Sequence, residues 1–319
     1  MKRRVGTYLI LGLLLSLLIL AGCKKNDKEP QLKTGFIGGK EGIVPALEVT
    51  SGKENEVLDA GLEDFQINVN LENKGEHTVK ENEILATLIG IDYRSFSINP
   101  ASLKNIEPVD KIRKEQEKKL SGGQTALSFP ANFKDDIPVD QVYDLGVNVC
   151  STYQTGATTN LCLRKEATRR GEQTAKCKID NPKLLAGSSA APVQITSLTQ
   201  RPTGKNEISF IMTIENVGKG DVYPPSFIQQ NAQCLEKTDT KNKLNVAVSF
   251  PDNRPSITCP ALKNSNKGEV SLIQGKTTIT CKIDTNQEQE TTFTRSPTIE
   301  LDYVYKNTIS TKITVKNAA

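Results

Sequence analysis

Hydrophobic and polar residues alternate strictly in two stretches of this chain that align without a gap. The first, from Asp64 to Val79, reads DFQINVNLENKGEHTV, and the second, from Glu207 to Val222, reads EISFIMTIENVGKGDV. A period of two predicts a β-strand with one buried and one solvated face. Asn-x-Gly follows in both stretches. We expect it to end the strand, because Asn and Gly tolerate a left-handed backbone. The chain therefore contains a repeat.

Each repeat also closes with a longer alternating segment, at 142–163 and at 297–316. We interpret each segment as a β-hairpin, the first turning at Gly156 and the second near Asn307. A turn and a further strand precede each hairpin, and residues 105–119 are an insertion for which we expect a short helix. Short strands separated by turn signals predict an all-β fold made of two tandem β-sandwiches.

The motifs of both units resemble those of prokaryotic extracellular immunoglobulin-like modules, especially CARDB, a cell-adhesion-related domain. In that family the first long strand commonly ends in Asn-x-Gly, and Leu-x-x-Gly precedes a later strand. Leu120 to Gly123 and Leu272 to Gly275 fit the second pattern. The resemblance implies immunoglobulin-like sandwiches with a role in adhesion. The chain has no Trp, so the buried Trp of antibody-type domains is absent.

The N-terminus has the order of a secretory signal. Basic residues and an apolar run over 5–21 precede the tetrad Leu-Ala-Gly-Cys, which ends at Cys23. This tetrad resembles the lipobox of prokaryotic lipoproteins, which implies that the Cys23 thiol is acylated and becomes the new N-terminus. Membrane lipid is then a partner of the chain. The alternative is an uncleaved signal anchor in which Cys23 is an ordinary thiol.

These patterns divide the chain into five segments. They are a lipoprotein signal peptide at 1–22, a polar tether at 23–34, a first β-sandwich at 35–165, a linker at 166–192 and a second β-sandwich at 193–319.

Charge and motif content narrow the function classes. Without the signal peptide the chain has 38 basic and 37 acidic side chains, a balance that does not favour nucleic-acid binding. No CxxC, Gly-x-Ser-x-Gly, HExxH or P-loop motif occurs, and His77 is the single histidine. We therefore expect no metal, no cofactor and no enzyme, and we interpret His77 as an exposed turn residue.

Six cysteines remain besides Cys23, and an even number in an exported chain predicts three disulfides. The hairpin hypothesis pairs Cys150 with Cys162, and Cys162 with Cys177 is the alternative. Three cysteines lie on each side of the linker, so either an odd number of bridges crosses it or each side keeps a free thiol. We favour a crossing by Cys177. Cys281 should point inward, with Cys234 or Cys259 as its partner.

Three further kinds of side chain have the chemistry for a site, and for each we favour a structural role over a binding role. Carboxylates that could bind Ca²⁺, without EF-hand spacing, are Asp135, Asp136, Asp140 and Asp144, and also Asp59, Glu63 and Asp64. Basic stretches that could contact anionic headgroups or polymer contain Lys111, Arg113, Lys114, Lys118 and Lys119, and also Arg164, Lys165, Arg169 and Arg170. The strand tyrosines are Tyr153, Tyr303 and Tyr305.

We therefore expect a non-enzymatic, lipid-anchored protein of the cell surface with an adhesion, assembly or structural role. It would be extracytoplasmic and membrane-anchored, it would bind a surface protein or polymer through loops, and it would not bind nucleic acid. The alternative is a solute- or polymer-binding lipoprotein that delivers a ligand to a membrane partner.

Overall fold

The computed structural model describes residues 35–116, 118–168, 177–181, 183–184, 186–289 and 291–318. All of them belong to one compact unit. This part of the chain is all-β, apart from one helical turn, α1 (Phe227–Gln230), and one 3-10 turn at Pro260–Leu262. The strands are β1 Ile43–Thr50, β2 Glu56–Leu58, β3 Asp64–Asn73, β4 Ile84–Ile89, β5 Ser102–Lys104, β6 Arg113–Glu115, β7 Lys118–Leu120, β8 Gln124–Asn132, β9 Gln141–Thr159, β10 Leu161–Leu163, β11 Ala186–Ser188, β12 Val193–Gly204, β13 Glu207–Asn216, β14 Asp221–Tyr223, β15 Lys243–Ser249, β16 Ile257–Thr258, β17 Lys267–Ser271, β18 Lys276–Asp284, β19 Phe293–Arg295 and β20 Thr298–Lys316.

The two repeat strands are β3 and β13, and each lies inside an antiparallel sheet. β3 lies between β1 and β8, while β13 lies between β12 and β18, with β16 beyond β18. The alternating apolar side chains of both strands are buried, as the period of two predicts. They belong to a single cluster of buried apolar residues that runs through both repeats.

The two longest strands, β9 and β20, pair antiparallel along almost their whole length. The predicted hairpins are therefore wrong, because β9 and β20 each continue through the expected turn position. Gly156 lies opposite Glu300, and Asn307 lies opposite Val149. Both expected turn positions thus lie inside the ladder, where neither turns the chain.

The β9–β20 pair belongs to one sheet with the order β17-β15-β20-β9-β4-β5, to which β2, β11 and β14 also pair. β4 pairs with the middle of β9, whereas β15 pairs with the start of β20. The two predicted sandwich regions therefore share this sheet. The division at residues 35–165 and 193–319 stays a prediction from the sequence. The short helix expected within 105–119 is wrong, since β6 and β7 pair there as a hairpin.

The Asn-x-Gly motif has a different physical basis from the expected one, because neither its Asn nor its Gly has a positive φ in either repeat. In the first repeat the Asn73 Oδ1 accepts hydrogen bonds from the Gly75 N–H at 3.0 Å and the Tyr153 hydroxyl at 3.2 Å. The Asn73 Nδ2 donates to the His77 carbonyl at 2.7 Å. A Cβ at Gly75 would overlap the Tyr153 hydroxyl, so Gly is needed for close approach.

The second repeat builds the same arrangement from its own residues. The Asn216 Oδ1 accepts from the Gly218 N–H and the Tyr305 hydroxyl, and its Nδ2 donates to the Gly220 carbonyl. A Cβ at Gly218 would overlap the Tyr305 hydroxyl. Each repeat thus anchors the end of its repeat strand on one tyrosine from the shared sheet.

Candidate recognition cavity

Three disulfides form within the described residues, and they pair Cys150 with Cys234, Cys162 with Cys177 and Cys259 with Cys281. The expected Cys150–Cys162 bridge is wrong, because no hairpin brings these two residues face to face. The bridge that crosses between the repeats comes from Cys150 rather than Cys177. Three disulfides indicate an extracytoplasmic protein. Cys23, the predicted lipidation site, lies outside the described residues.

The Cys150–Cys234 bridge holds a segment of the second repeat against the outer face of the shared sheet. It lies in a separate buried cluster with Tyr223, Phe227 and Val304, among others. The Cys234 N–H also donates to the Thr87 hydroxyl at 2.8 Å. The bridge therefore joins the two repeats covalently over a packed surface.

A cavity of about 1020 Å³ opens at the end of the second repeat, away from the Asn216–Tyr305 anchor. Its walls are the loop 252–256, the end of β18 at Asp284, the loop 287–289 and strand β19. The lining is mostly polar and combines carboxylate, amide, guanidinium and hydroxyl groups with the ring of Phe293. This composition suits a polar ligand that offers several hydrogen-bonding groups.

Arg295 organises the charges of the cavity. Its guanidinium lies 2.5 Å from an Asp252 carboxylate oxygen and 3.5 Å from Glu288, over the ring of Phe250 at 5.5 Å. The pKa of Asp252 is lowered, first by the hydrogen bond from the Arg254 backbone N–H and also by Arg295. The side chain of Glu288 is 11% exposed. One guanidinium therefore fixes two carboxylates in the cavity wall.

Two disulfides brace these walls. β10 pairs with β19, and the Cys162–Cys177 bridge adds a contact at 3.6 Å from Cys177 Sγ to the Phe293 carbonyl. The Cys259–Cys281 bridge ties the end of β16 to β18, which leads to Asp284. Loops held in this way lose little conformational freedom when a ligand binds.

The first repeat carries a second cavity, of about 720 Å³, at its corresponding end. Asp64 pairs with Asn132 there, as Glu207 pairs with Asp284 in the second repeat. The Asn132 Oδ1 is buried and has no hydrogen-bond partner among the described residues. Asn132 and Asp284 each line the cavity of their own repeat, so the two cavities lie at corresponding points of the repeats.

No sequence motif marks either cavity. Asp252, Glu288 and Arg295 come from separate loops and a short strand. The pairing of β10 with β19, of β15 with β20 and of β18 with β13 positions these segments. The available signal was the turn-rich stretch Asp-Asn-Arg-Pro-Ser at 252–256, which marks a loop but not its neighbours.

The predicted aromatic and histidine candidates lie elsewhere, between the two repeats. Tyr153, Tyr303 and Tyr305 are buried, and the Tyr303 hydroxyl lies 2.9 Å from the Thr155 Oγ1. His77 is half-buried, with its ring centroid 5.2 Å from that of Tyr153. The expectation of an exposed histidine is therefore wrong. Burial lowers the pKa of His77.

Four of the acidic candidates, Asp140, Asp59, Glu63 and Asp64, pair with lysine, backbone N–H or amide groups of the protein. Asp140 pairs with Lys316 at 2.8 Å, and Asp59 accepts hydrogen bonds from the Ile137 and Ala318 N–H groups. Glu63 accepts from two N–H groups, and Asp64 from Asn132. Among the described residues, no group of three or more His, Cys, Asp or Glu could hold a metal ion.

The basic candidates fall into two sets. Lys111, Arg113, Lys114, Lys118 and Lys119 lie on or beside the β6–β7 hairpin. Arg164 is buried, and its Nε donates to the Glu166 carbonyl, while the Lys165 carbonyl accepts from the Thr285 hydroxyl. Arg169 and Arg170 lie outside the described residues. In the part of the chain that the structure describes, no helix is long and apolar enough to cross a membrane.

Comparison with known proteins identifies no family. No family model matches the chain, and no curated protein matches it. The secreted serine protease VesC from Vibrio cholerae is similar at 10% identity and a TM-score of 0.17, over 81% of this chain and 50% of the protease. This chain thus spans half the length of that protease.

Two surface proteins from Streptococcus agalactiae are also similar. The serine-rich repeat protein Srr2 matches at 10% identity and a TM-score of 0.14, over 86% of this chain and 92% of its own. The serine-rich repeat adhesion glycoprotein Srr1 matches at 9% identity and a TM-score of 0.18, over 90% and 100%. Likenesses with such low TM-scores carry no argument about function.

The expectation that the protein is not an enzyme is corrected. It rested on missing sequence motifs alone, and one of the structures similar to this chain is a secreted serine protease. Catalytic groups can also come together from distant segments without a local motif.

Proposed function

We propose that the chain is a lipid-anchored, extracytoplasmic surface protein whose recognition site is the Arg295 cavity. The observation that carries the proposal is this preformed polar cavity, braced by two of the three disulfides. Loops on a rigid frame are the usual place for binding residues. The resemblance of the strand motifs to CARDB-like modules supports a role in adhesion or assembly, and the tetrad ending at Cys23 supports the lipid anchor.

The anchor is tested by metabolic labelling with an alkyne-tagged fatty acid in bacterial cells that process lipoproteins. The wild-type chain should take up the label and fractionate with membranes. The Cys23→Ala variant should take up none, because the acceptor thiol is gone. Label that persists in Cys23→Ala, or an unlabelled wild type, would exclude acylation at this position.

The cavity is tested by the adherence of cells that display the protein on their surface. Arg295→Gln frees the Asp252 and Glu288 carboxylates and loosens the cavity wall, so adherence should fall. Lys267→Gln removes the same charge from an exposed site on β17 outside the cavity lining, and it should adhere like the wild type. Surface display of both variants is matched by antibody binding. Equal adherence of the two variants would remove the cavity from the proposal.

The alternative role, ligand delivery by a solute- or polymer-binding lipoprotein, is favoured by the size of the same cavity, since small-molecule sites commonly have about 300–1,000 Å³. Native mass spectrometry of the protein purified from its own membranes distinguishes the two roles. A co-purified small molecule that is lost in Arg295→Gln supports delivery. A bare wild-type chain that still mediates adherence supports adhesion.

A further inference from the structure

The β6–β7 hairpin carries the densest basic stretch in the sequence of the described residues. Its strands and turn are exposed from Arg113 to Gln116 and again at Lys118 and Lys119. Residues 111–120 contain five cationic and two acidic side chains. Lys111, Arg113, Lys118 and Lys119 make no ion pair with any residue that the structure describes. Their charges are therefore available to an external anion.

The register of the hairpin places Lys114 opposite Lys119 and Glu115 opposite Lys118. Cationic side chains therefore outnumber acidic ones on the two strands. This excess of positive charge attracts a negatively charged surface.

Three hydrogen bonds hold the base of the hairpin. The Ile112 N–H donates to the Gly75 carbonyl at 2.9 Å, and the Lys111 N–H donates to the Thr78 hydroxyl at 3.2 Å. The Gly123 N–H donates to the Asp110 carbonyl at 2.8 Å on the returning strand. The hairpin is therefore fixed to the segment that follows the Asn73–Tyr153 anchor.

The same segment receives the N-terminal end of the described chain. The Glu76 carboxylate accepts hydrogen bonds from the Ile37 and Gly38 N–H groups, at 2.9 and 3.0 Å. The chain therefore enters the folded body within a few residues of the point where the basic hairpin leaves it. Between Cys23 and Gly35 an extended chain spans about 40 Å at most.

We propose that the β6–β7 hairpin contacts the anionic lipid headgroups of the membrane in which Cys23 is anchored. This inference rests on the proposed lipid anchor and adds to it a second, electrostatic attachment. A basic residue near an anionic bilayer is attracted over about one Debye length. A lipid chain combined with a basic patch binds a membrane more stably than either signal alone.

The test is amine labelling of the full lipidated chain in vesicles, read residue by residue by mass spectrometry. Vesicles are made of phosphatidylcholine alone or of phosphatidylcholine with phosphatidylglycerol. We expect Lys111, Lys118 and Lys119 to label several-fold more slowly on the anionic vesicles, and high salt to restore their labelling. Lys134 and Lys267, exposed at other parts of the surface, should label equally on both.

Paired variants make the test specific. Lys118→Gln/Lys119→Gln should weaken headgroup contact roughly 30-fold, since each basic residue near the surface contributes about 1 kcal/mol, and Lys111 should then lose its protection. The control Lys134→Gln/Lys267→Gln changes the net charge equally and should leave Lys111 protected. Both variants alter exposed side chains, and circular dichroism confirms that they fold.

Two outcomes overturn the proposal. One is equal labelling of the hairpin lysines on neutral and anionic vesicles. The other is protection by soluble polyphosphate but not by anionic vesicles, which would assign the hairpin to a soluble polyanion. Loss of the anchor is recognised separately, because an unlipidated chain does not float with neutral vesicles. If the chain is not lipidated, the same labelling is measured with anionic vesicles added in excess. Either of the two outcomes above then still overturns the proposal.

Discussion

At the scale of single residues, the glycine of each Asn-x-Gly motif leaves space for a tyrosine hydroxyl. The Tyr305 hydroxyl occupies the space of a side chain at Gly218, and its oxygen accepts a hydrogen bond from the Gly220 N–H. Burial raises the pKa of Tyr305 to about 12, so the hydroxyl keeps its proton and can donate to Asn216. The identical Asn and Gly of the two repeats thus have a packing role rather than a binding role.

This packing role predicts that substitutions at Gly218 and Tyr305 have coupled effects on stability. Gly218→Ala should lower the free energy of unfolding by about 2 kcal/mol, the usual cost of forcing an extra methyl group into a packed site. In a Tyr305→Phe background the same change should cost clearly less, because the overlapping hydroxyl is absent. Urea denaturation of the four proteins gives the coupling energy.

The first repeat supplies the control. At Gly75 the carbonyl oxygens of Ala190 and Glu41 also lie too close to an added Cβ, so Tyr153→Phe should rescue Gly75→Ala less well. Equal costs of Gly218→Ala in the Tyr and Phe backgrounds would contradict the role given to the tyrosine.

His77 predicts a dependence of stability on pH. Desolvation lowers its pKa below 6.5, opposed by the carboxylates of Glu83 and Asp302 and reinforced by Lys80 and Lys111. The unfolded chain therefore binds this proton more readily than the folded one. Stability should be fully present above pH 6.5 and decrease as the pH falls from there to the folded pKa.

The slope of stability against pH should differ between the wild type and His77→Gln in this window. Thermal unfolding across the pH range should show a shallower decrease for His77→Gln just below pH 6.5. Because the chain has one histidine, proton NMR of its imidazole gives the folded pKa directly. An imidazole that titrates at or above 6.5 would contradict the burial effect.

At the scale of elements, the sequence predicted where strands lie but not where the chain turns. Alternation at Phe65, Ile67 and Val69 sufficed for β3 because one face of that strand is buried. Alternation also runs through β9 past Gly156, and no local property distinguishes a hairpin turn from a glycine in mid-strand. Here Gly156 lies opposite Glu300, and that partner, far away in sequence, could not be read locally.

The disulfides, too, could be predicted only where neighbouring residues determine them. Cys281 could be placed inward from its neighbours Ile279 and Ile283, and its partner is Cys259, one of the two alternatives left open. The pairing of Cys150 failed because it was derived from the hairpin. Counting cysteines on each side of the linker nevertheless allowed one crossing bridge, and one is present among the described residues.

The disulfides should stabilise the protein unequally. Cys150 and Cys234 are 84 residues apart, whereas Cys162 and Cys177 are 15 apart. Restriction of the unfolded chain grows with the enclosed loop, so replacing both cysteines by Ala should cost about 4–5 kcal/mol for the first bridge and about 3 kcal/mol for the second. Guanidinium denaturation under non-reducing conditions measures both. The opposite order would show that the cavity brace is the more stabilising of the two.

At the scale of the whole molecule, the shared sheet makes each repeat depend on the other. The first half of β9 pairs with the second half of β20, from Asn307 onward, and β2 pairs with the end of β20. A fragment that ends at residue 165 would leave these backbone groups unpaired and would expose the apolar face that β20 covers. Residues 35–318 should therefore unfold as one cooperative body.

The prediction is that fragment 24–165, secreted under oxidising conditions, stays largely unfolded, whereas 24–319 gives a dispersed NMR spectrum and a single calorimetric transition. Adding fragment 166–319 should restore structure to the first fragment, because β20 would then be supplied in trans. In the intact chain, Ile67→Ala and Ile279→Ala remove buried side chains from different repeats. Each should lower the midpoint of the same transition rather than split it. A folded, cooperative fragment 24–165 would instead mean that the first predicted sandwich is an independent domain, and that the β9–β20 pairing joins two modules already stable on their own.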